Sequence, residues 1–524
     1  MRDGLLTQHV NAFVGQLGKL RPIVNRPTAA HAHCNCGVAW SSILGAMTNR
    51  APIFALASVL SAIAPTMAQT GAGPYAPTTE SLRKHKVPLW FEDAKFGIFV
   101  HWGVFAVPAY HEWYVEFISP KAGFGFLFGG PPYNAARGNL PEDLYRARVR
   151  EDAVQYHIAN WGADFAYDDF IPMFKAEKFD PAAWADLFRE AGARYVVLTA
   201  KHGDEFALWP TKFTRRNAMD MGPHRDLAGD LAKSVRQAGL KMGFYHNTTY
   251  TFNDPRYPGR DWIDYMNNSI KELIDLYHPS VLWGDVTEGP VKTWEGKPLP
   301  ADYWNSKEVL AYFYNHSPDP AEVVANDRWG RDTDGKMVGD YQTPERTAVG
   351  SVLPDKWEEC DSLDPTSWGY NRRLKDAEYM TPNEVVDYLV DIVSKNGNLL
   401  LNIGPKADGT IPEIMQNTLR QVGEWLHVNG EAIYGTRPWQ TYKDGDVRFT
   451  RKGNTLYAIA LRWPEEEIRL TSLAGRAVEK VEMLGLDQAI AFKQDSRGVV
   501  IQPPAKRPCR YAYTFKLHIK GALE

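Results

Sequence analysis

Cysteine is scarce in this chain of 524 residues, which contains only four. Cys34 and Cys36 lie near the amino terminus, and the other two, Cys360 and Cys509, are far apart in the sequence. Two isolated cysteines cannot form a disulfide framework, and no group of residues has the spacing of metal ligands. The sequence therefore predicts a site without a metal ion, and no cofactor motif is present.

An excess of charge of one sign is also missing. The 59 Lys and Arg residues nearly balance the 63 Asp and Glu residues, so the net charge is -4. Such a balance gives no electrostatic attraction to nucleic acid or to an anionic membrane. The apolar run at residues 52–65 has 14 residues and is too short to cross a bilayer as a helix. We therefore expect no nucleic-acid partner and no stable insertion into a membrane.

The same apolar run has the features of a secretory signal peptide. Arg50 precedes it, and small residues follow it up to a plausible cleavage point after Ala68. Met47 would be the natural initiator of such a peptide. Residues 1–68 are therefore predicted to be an upstream extension plus a signal peptide, with the mature protein starting near Gln69. This interpretation implies a periplasmic or secreted protein.

Several catalytic motifs are absent. The glycine-rich segment at 123–132 lacks the strand, turn and helix that surround a phosphate-binding loop. Neither a G-x-S-x-G elbow nor an H-E-x-x-H helix is present to favour an esterase or a metallopeptidase. Aromatic residues are plentiful, with 17 Trp and 25 Tyr. Their flat apolar faces and polar atoms suit sugars, although the same rings would also fill a large core.

Helices and short apolar strands alternate through much of the chain. In "DPAAWADLFREAGARYVVLTAKH", Asp180 is a helix N-cap, Pro181 the first helical residue and Gly192 the stop before a strand. In "TPNEVVDYLVDIVSKNGNLLLNIGP", Thr381 and Glu384 form a capping box. This rhythm predicts a (β/α)8-like barrel at 80–438. From 440 to 524 the alternation is of period two, which predicts a C-terminal antiparallel β-sandwich.

Polar residues stand where the predicted barrel strands end, which is where barrel enzymes place their catalytic groups. For one strand a structural polar residue would be the commoner explanation, but a whole set on one rim favours a site. The residues are His101 and Trp102, Lys201 and His202, Tyr245 to Asn247, Asp285, Asn326 to Arg328, Glu358 and Glu359, and Asn402. Carboxylates on two different strands, with histidines and aromatic rings, are the usual equipment for glycoside hydrolysis.

At these residues the sequence resembles the α-L-fucosidases of glycoside hydrolase family 29. The resemblance lies in long segments in the expected order, among them "WFEDAKFGIFVHWGVFAVPAYHEWY", "YVVLTAKHGDEFALWPTKFT", "VLWGD", "NDRWG", "WEECDSLDPTSWGYNR" and "VSKNGNLLLNIGPKADGTIP". It covers about residues 80 to 440 and, more loosely, the C-terminal region. It implies an exo-acting, retaining enzyme that acts on fucosylated oligosaccharides or glycoconjugates. The oligomeric state, including a homo-oligomer, stays open.

The resemblance also implies roles for individual residues. Asp285 matches the family nucleophile, which forms a covalent fucosyl-enzyme. In the "WE" motif the acid/base would be Glu358, and because adjacent strand residues point to different sides, its neighbour Glu359 should not face the site as well. Glu288 is the alternative acid/base. The predicted sugar-binding residues are His101, Glu112, Trp113, His202, Tyr245 and Trp283, with Arg346 as the site arginine.

Two departures from the family bear on the substrate. The family usually has two consecutive histidines where this chain has His202 and Gly203, so Gly203 leaves a gap or room for a substituent. Residues 118–150 are predicted to form a long loop beside the rim. These departures leave two alternatives open, namely a related α-L-glycosidase such as an α-L-galactosidase, and a catalytically weak carbohydrate-binding protein.

Overall fold

A computed structural model describes residues 73–118, 142–247, 260–285, 304–330, 338–347 and 349–523. The predicted extension and signal peptide, the alternative acid/base Glu288 and most of the loop predicted at 118–150 lie outside these ranges. The last part of that loop prediction is wrong, because residues from Glu142 onward belong to a helix that ends at Trp161.

Secondary structure alternates through the first part of the described chain and becomes all-β after the last long helix. The described helices are α1 (Thr79–Leu82), α2 (Leu89–Ala94), α3 (Tyr114–Ile118), α4 (Glu142–Trp161), α5 (Pro181–Glu190), α6 (Leu227–Gln237), α7 (Arg260–Tyr277), α8 (Ser306–His316), α9 (Pro382–Ser394) and α10 (Glu413–Asn429). The strands of the first sheet are β1 (Phe96–Val100), β2 (Tyr195–Lys201), β3 (Lys241–Asn247), β4 (Val281–Asp285), β5 (Val324–Ala325), β6 (Trp357–Ser362) and β7 (Gly397–Ile403). The later strands are β8 (Arg437–Asp444), β9 (Val447–Lys452), β10 (Thr455–Ala460), β11 (Ile468–Leu470), β12 (Val478–Met483), β13 (Phe492–Asp495), β14 (Gly498–Ile501) and β15 (Tyr513–Ile519).

The helix starts follow the local signals in the sequence. The side chain of Asp180 accepts hydrogen bonds from the first free backbone N–H groups of α5, and Pro181 is the first residue of that helix. At α9, Thr381 and Glu384 form the reciprocal capping box. Each cap satisfies N–H groups that have no partner inside the helix. The two predicted helix starts are therefore confirmed.

The first sheet is parallel and has the strand order β5-β4-β3-β2-β1-β7-β6. Residues 338–347, called here the closing segment, lie between its two edges. Isolated parallel bridges join Tyr341 to Asn326 beside β5, and join Gln342 and Glu345 to β6. In the described residues no helix separates this segment from either edge strand. The eighth position of the barrel is therefore filled by an irregular segment instead of a complete strand-helix unit.

The C-terminal strands form two antiparallel sheets. One has the order β12-β15-β10-β9-β8, and the other has the order β11-β14-β13. Buried residues of both, such as Phe449 and Val499, belong to one hydrophobic core. Strands β8 and β9 contact α9, where the Nε of Arg448 donates to an oxygen of Asp391 at 2.7 Å. The predicted fold class, a parallel barrel followed by an antiparallel sandwich, is confirmed.

Candidate active site

The carboxyl ends of the barrel strands bring several predicted site residues into contact. His101 follows β1 and His202 follows β2, and the centroids of their rings are 5.6 Å apart. The His202 ring stacks on Tyr245 of β3 at 5.8 Å, and Tyr245 lies 5.5 Å from the ring of Trp283 in β4. Parallel strands place their carboxyl ends at the same end of a barrel, which is why residues more than a hundred positions apart meet here.

The tautomer of His101 is fixed by Asn402 of β7. The side-chain nitrogen of Asn402 donates to the carbonyl of Trp368 at 2.7 Å, so its oxygen faces Nδ1 of His101 at 2.7 Å. Nδ1 must therefore carry the proton, and Nε2 is an acceptor. Burial lowers the pKa of His101 to about 4, so the ring is neutral at pH 7. A neutral imidazole whose Nε2 is an acceptor is suited to receive a hydrogen bond from a sugar hydroxyl.

Glu112 is a buried carboxylate in a nest of neutral donors. Its Oε2 accepts from the Ser367 hydroxyl at 3.0 Å and from the backbone N–H groups of Trp368 and Gly369 at 2.9 and 3.2 Å. Burial alone would raise the pKa of Glu112. The neighbouring imidazoles outweigh that effect, and the pKa is lowered to about 2. Its Oε1 has no hydrogen-bond partner among the described residues. A buried acceptor of this kind is expected to be satisfied by a ligand hydroxyl.

The space beside Gly203, which was predicted to be a gap, is occupied by the side chain of Trp113. A Cβ atom on Gly203 would lie 2.4 Å from Cζ3 of Trp113, and the indole ring also packs on His202 at 4.4 Å. The interpretation that Gly203 leaves a gap or room for a substituent is therefore wrong. The absence of a side chain at this position allows Trp113 to lie against His202.

Asp285 ends β4 and is held by two donors. The Tyr245 hydroxyl donates to its Oδ2 at 2.8 Å, and Nη1 of Arg328 contacts its Oδ1 at 3.2 Å. Burial raises the pKa of Asp285, and the Arg328 guanidinium opposes that rise. About a quarter of the side chain is exposed, which leaves the carboxylate accessible at the open end of the barrel.

Glu345 in the closing segment is the carboxylate that shares a partner with Asp285. Its Oε2 lies 2.8 Å from Nη1 of Arg328, the same nitrogen that contacts Asp285, and its side chain is 39% exposed. The two contact distances limit the separation of the carboxylate oxygens to about 6 Å. Sequence reasoning missed Glu345, although it selected the neighbouring Arg346. Strand-end signals could not indicate Glu345 because the closing segment is not a regular strand.

Glu358 lies deep in the barrel. It is fully buried, and its Oε2 accepts from the hydroxyl of Tyr195, the first residue of β2. Its Oε1 accepts from Trp283 Nε1 at 3.0 Å and from the Tyr341 hydroxyl at 3.3 Å. Burial raises its pKa to about 7. Because Tyr195 begins β2 whereas His202 follows its end, Glu358 is at the level of the strand starts, several residues below the rim.

Arg346 lies behind the rim. Its Nη1 donates to the carbonyl of Pro365 at 2.7 Å, its Nε lies 3.4 Å from Asp361, and the guanidinium stacks on Trp368 at 4.8 Å. The side chain is only 5% exposed. It therefore supports the loop that carries the Glu112 donors.

Some residues at strand ends face away from this site. Trp102 packs in the core against Phe174, Phe179 and Trp184. Lys201 is buried in an ion pair with Glu205. At these two positions the strand-end residue therefore has a structural role, which is the commoner role for a single residue of this kind.

The described ranges hold no cluster of three or more acidic, histidine or cysteine side chains placed to bind a metal ion. The same ranges contain no helix that has both the length and the apolar character to cross a bilayer.

Two carboxylates within about 6 Å at the carboxyl end of a parallel barrel, beside neutral histidines and tryptophan rings, are the arrangement that glycoside hydrolysis requires. The family model "Alpha-L-fucosidase" matches residues 62–431, and "Alpha-L-fucosidase C-terminal domain" matches residues 441–518. The chain belongs to this α-L-fucosidase family, glycoside hydrolase family 29.

Named relatives agree with this assignment. Human tissue α-L-fucosidase is 37% identical over 467 residues, which cover 84% of this chain and 91% of the human protein. The rat tissue enzyme is also 37% identical, with 84% and 92% covered. The Thermotoga maritima α-fucosidase structure in complex with fucose has a TM-score of 0.67 and 35% identity, and the match covers 84% of this chain and all of that one.

Proposed function

We propose that this chain is a retaining, exo-acting α-L-fucosidase that hydrolyses terminal α-L-fucosyl groups of oligosaccharides or glycoconjugates. Membership of the family and the names of the relatives support the substrate. The proposal that the enzyme retains the anomeric configuration rests on the contact that Asp285 and Glu345 share with Arg328. Their separation of at most about 6 Å is closer to the 5–5.5 Å of retaining enzymes than to the 6.5–9.5 Å of inverting enzymes.

In the first step Asp285 attacks the anomeric carbon and Glu345 donates a proton to the departing oxygen. The Tyr245 hydroxyl and the Arg328 guanidinium hold the Asp285 oxygens in place and favour the ionised form of the nucleophile. In the second step Glu345, now ionised, removes a proton from water, which attacks the fucosyl-enzyme and releases fucose. The partly exposed Glu345 side chain fits a group that gives a proton to the departing oxygen and regains one from the attacking water in each cycle.

Sugar hydroxyls would be recognised by buried acceptors. Oε1 of Glu112 has no hydrogen-bond partner among the described residues, and Nε2 of His101 is an acceptor because its Nδ1 carries the proton. The His202 ring, whose pKa is lowered to about 3 mainly by burial, is neutral and lies between His101 and Trp113. Trp113 offers an apolar indole surface that suits a sugar ring and its methyl group.

Glu345 replaces Glu358 in our proposal for the acid/base. The role of Glu358 stays an untested prediction, but both of its oxygens already accept hydrogen bonds at the level of the strand starts. Such a group has no direct access to the departing oxygen at the rim. Glu288 lies outside the described residues and stays an alternative.

Fucose is favoured over α-L-galactose because of Trp113. The galactoside hypothesis required space beside Gly203, and the indole ring fills that space. The predicted secretion signal fits an enzyme that meets glycans outside the cytoplasm, and we retain a periplasmic or secreted location as part of the proposal.

The proposal is tested with aryl α-L-fucosides and azide. We expect Asp285→Ala to lose about a thousandfold or more in kcat, with azide restoring turnover and giving β-fucosyl azide by single inversion. Glu345→Ala with an activated fucoside should instead give α-fucosyl azide through two inversions. Near-normal activity of Asp285→Ala, or the same anomer of fucosyl azide from both variants, would refute the assignment. Faster turnover of an α-L-galactoside than of the fucoside would refute the substrate.

A further inference from the structure

Glu359 is a buried carboxyl group that the proposed mechanism does not use. It follows Glu358 in β6, so its side chain points to the opposite face of the strand, away from the barrel interior. The residue is 1% exposed and adjoins the phenol ring of Tyr388 in α9. A carboxyl group is rarely buried to this degree without a specific partner.

One partner is the backbone of the closing segment, and the Tyr388 hydroxyl is another. Oε1 of Glu359 accepts from the N–H of Thr347 at 3.0 Å, two residues after Glu345. The backbone bonds that join this part of the segment to β6 are longer, at 3.3 Å from Cys360 N–H to the carbonyl of Pro344 and 3.4 Å from Arg346 N–H to the carbonyl of Cys360. The Glu359 contact is therefore shorter than both of these backbone bonds between β6 and the closing segment.

The segment needs such an anchor because it turns at Arg346. Arg346 has a φ of 49°, a left-handed conformation that a residue with a side chain seldom adopts. Residues held in this region persist where surrounding contacts fix them. Arg346 is held on one side of the turn by Asp361, and Thr347 is held on the other by Glu359.

The electrostatic surroundings favour a neutral anchor. Burial, helped by the nearby carboxylates Asp361 and Glu345, raises the pKa of Glu359 to about 8. A protonated carboxyl keeps its carbonyl oxygen as the acceptor for Thr347 and adds no negative charge behind Glu345. Glutamine has the same shape and the same acceptor, which makes it the matched conservative substitution.

We propose that Glu359 is a positioning residue that holds Glu345 beside Asp285 by anchoring the backbone of Thr347. This inference rests on the proposed role of Glu345 as the acid/base. Loss of the anchor lets Glu345 move away from the departing oxygen, and a displacement of about 1 Å is enough to cost up to a hundredfold in rate. The nucleophile Asp285 lies on β4 and keeps its own contacts.

The test compares two substrates that differ in their need for an acid. Phenyl α-L-fucoside has a poor leaving group that needs a proton, whereas dinitrophenyl α-L-fucoside has a good one that leaves unprotonated. We expect Glu359→Ala to lower kcat/KM for the phenyl substrate about ten- to a hundredfold, and for the dinitrophenyl substrate less than about threefold. Glu359→Gln should restore kcat/KM for the phenyl substrate to within about threefold of the wild type. Glu359→Met, which keeps the volume and lacks the acceptor, should behave like Glu359→Ala and serves if the alanine variant does not fold.

Val390→Ala, a cavity variant in α9, is the control for a general loss of packing. It should lower thermal stability without changing the ratio of the two kcat/KM values, because its side chain packs in the hydrophobic core and can make no hydrogen bond to the closing segment. Equal losses on both substrates in Glu359→Ala, or a glutamine variant as selective as the alanine variant, would overturn the inference.

Glu345→Gln separates the two proposals. If it shows the selective loss and Glu359→Ala does not, the anchor is wrong and the acid/base assignment stands. If Glu345→Gln loses nothing on phenyl fucoside, the acid/base assignment itself is wrong.

Discussion

Substituting Gly203 by alanine tests how the glycine supports the sugar pocket. The new Cβ would lie 2.4 Å from Cζ3 of Trp113, whereas ordinary contacts begin at 3.4 Å. The indole ring must therefore move by about 1 Å, away from the place where it packs on His202.

The size of the effect follows from that displacement. Overpacking of a buried position lowers the free energy of unfolding by about 1–3 kcal/mol. A shift of about 1 Å in a substrate-contacting ring is expected to lower kcat/KM about ten- to a hundredfold, or about 1.4–2.7 kcal/mol of transition-state stabilisation. Gly203→His should be at least as damaging, because its side chain begins with the same Cβ.

The assay is the kcat/KM for an aryl α-L-fucoside together with denaturant unfolding. Gly350→Ala is the matched control, because a Cβ at that position meets no atom within 4 Å. We expect the control to keep both quantities. A Gly203→Ala enzyme with wild-type kcat/KM and stability would refute the conclusion that Trp113 fills this position.

Three further predictions concern buried polar groups. Glu358→Gln puts an amide N–H against a donor hydroxyl or indole, so it should lower the free energy of unfolding by about 1–3 kcal/mol. It should not lower kcat/KM selectively for substrates with poor leaving groups, and a selective loss would restore Glu358 as the acid/base. Glu112→Gln should raise KM for aryl fucoside about tenfold, since the carboxylate is predicted to accept a sugar hydroxyl, and it should also lower the melting temperature, since the fold favours the ionised form. An unchanged KM would contradict the binding role. His85 lies between two acceptors, Asp340 at 2.9 Å and the carbonyl of Pro320 at 2.8 Å, and although burial alone lowers its pKa, these bonds raise it above 6.5. The stability that His85 adds should therefore be complete below pH 6.5 and be lost as the pH rises through the higher folded pKa; a difference in unfolding free energy between wild type and His85→Gln that stays constant with pH would contradict this.

The sequence by itself determined the elements and most of the rim. Caps such as Asp180 and Thr381 act on residues two or three positions away, so the helix starts could be predicted from local sequence. Alternation of strands and helices determined the barrel, and the rule that strand ends meet at one rim identified His101, His202 and Asp285. The resemblance to a family of known fold added the roles of these residues.

Only the tertiary structure decided which glutamate stands beside Asp285. Period-two alternation correctly separates Glu358 from Glu359 onto opposite faces of β6, but it does not say how deep in the barrel a residue lies. Depth depends on the register of β6 against β7 and on the contact of Glu358 with Tyr195, which is 163 residues away. Likewise Glu345 belongs to a segment with no strand pattern of its own, and it reaches Asp285 because both edges of the sheet bind that segment. Hydrophobic periodicity and caps are local, whereas the position of a carboxylate relative to another on a different strand is set by long-range packing and hydrogen bonds.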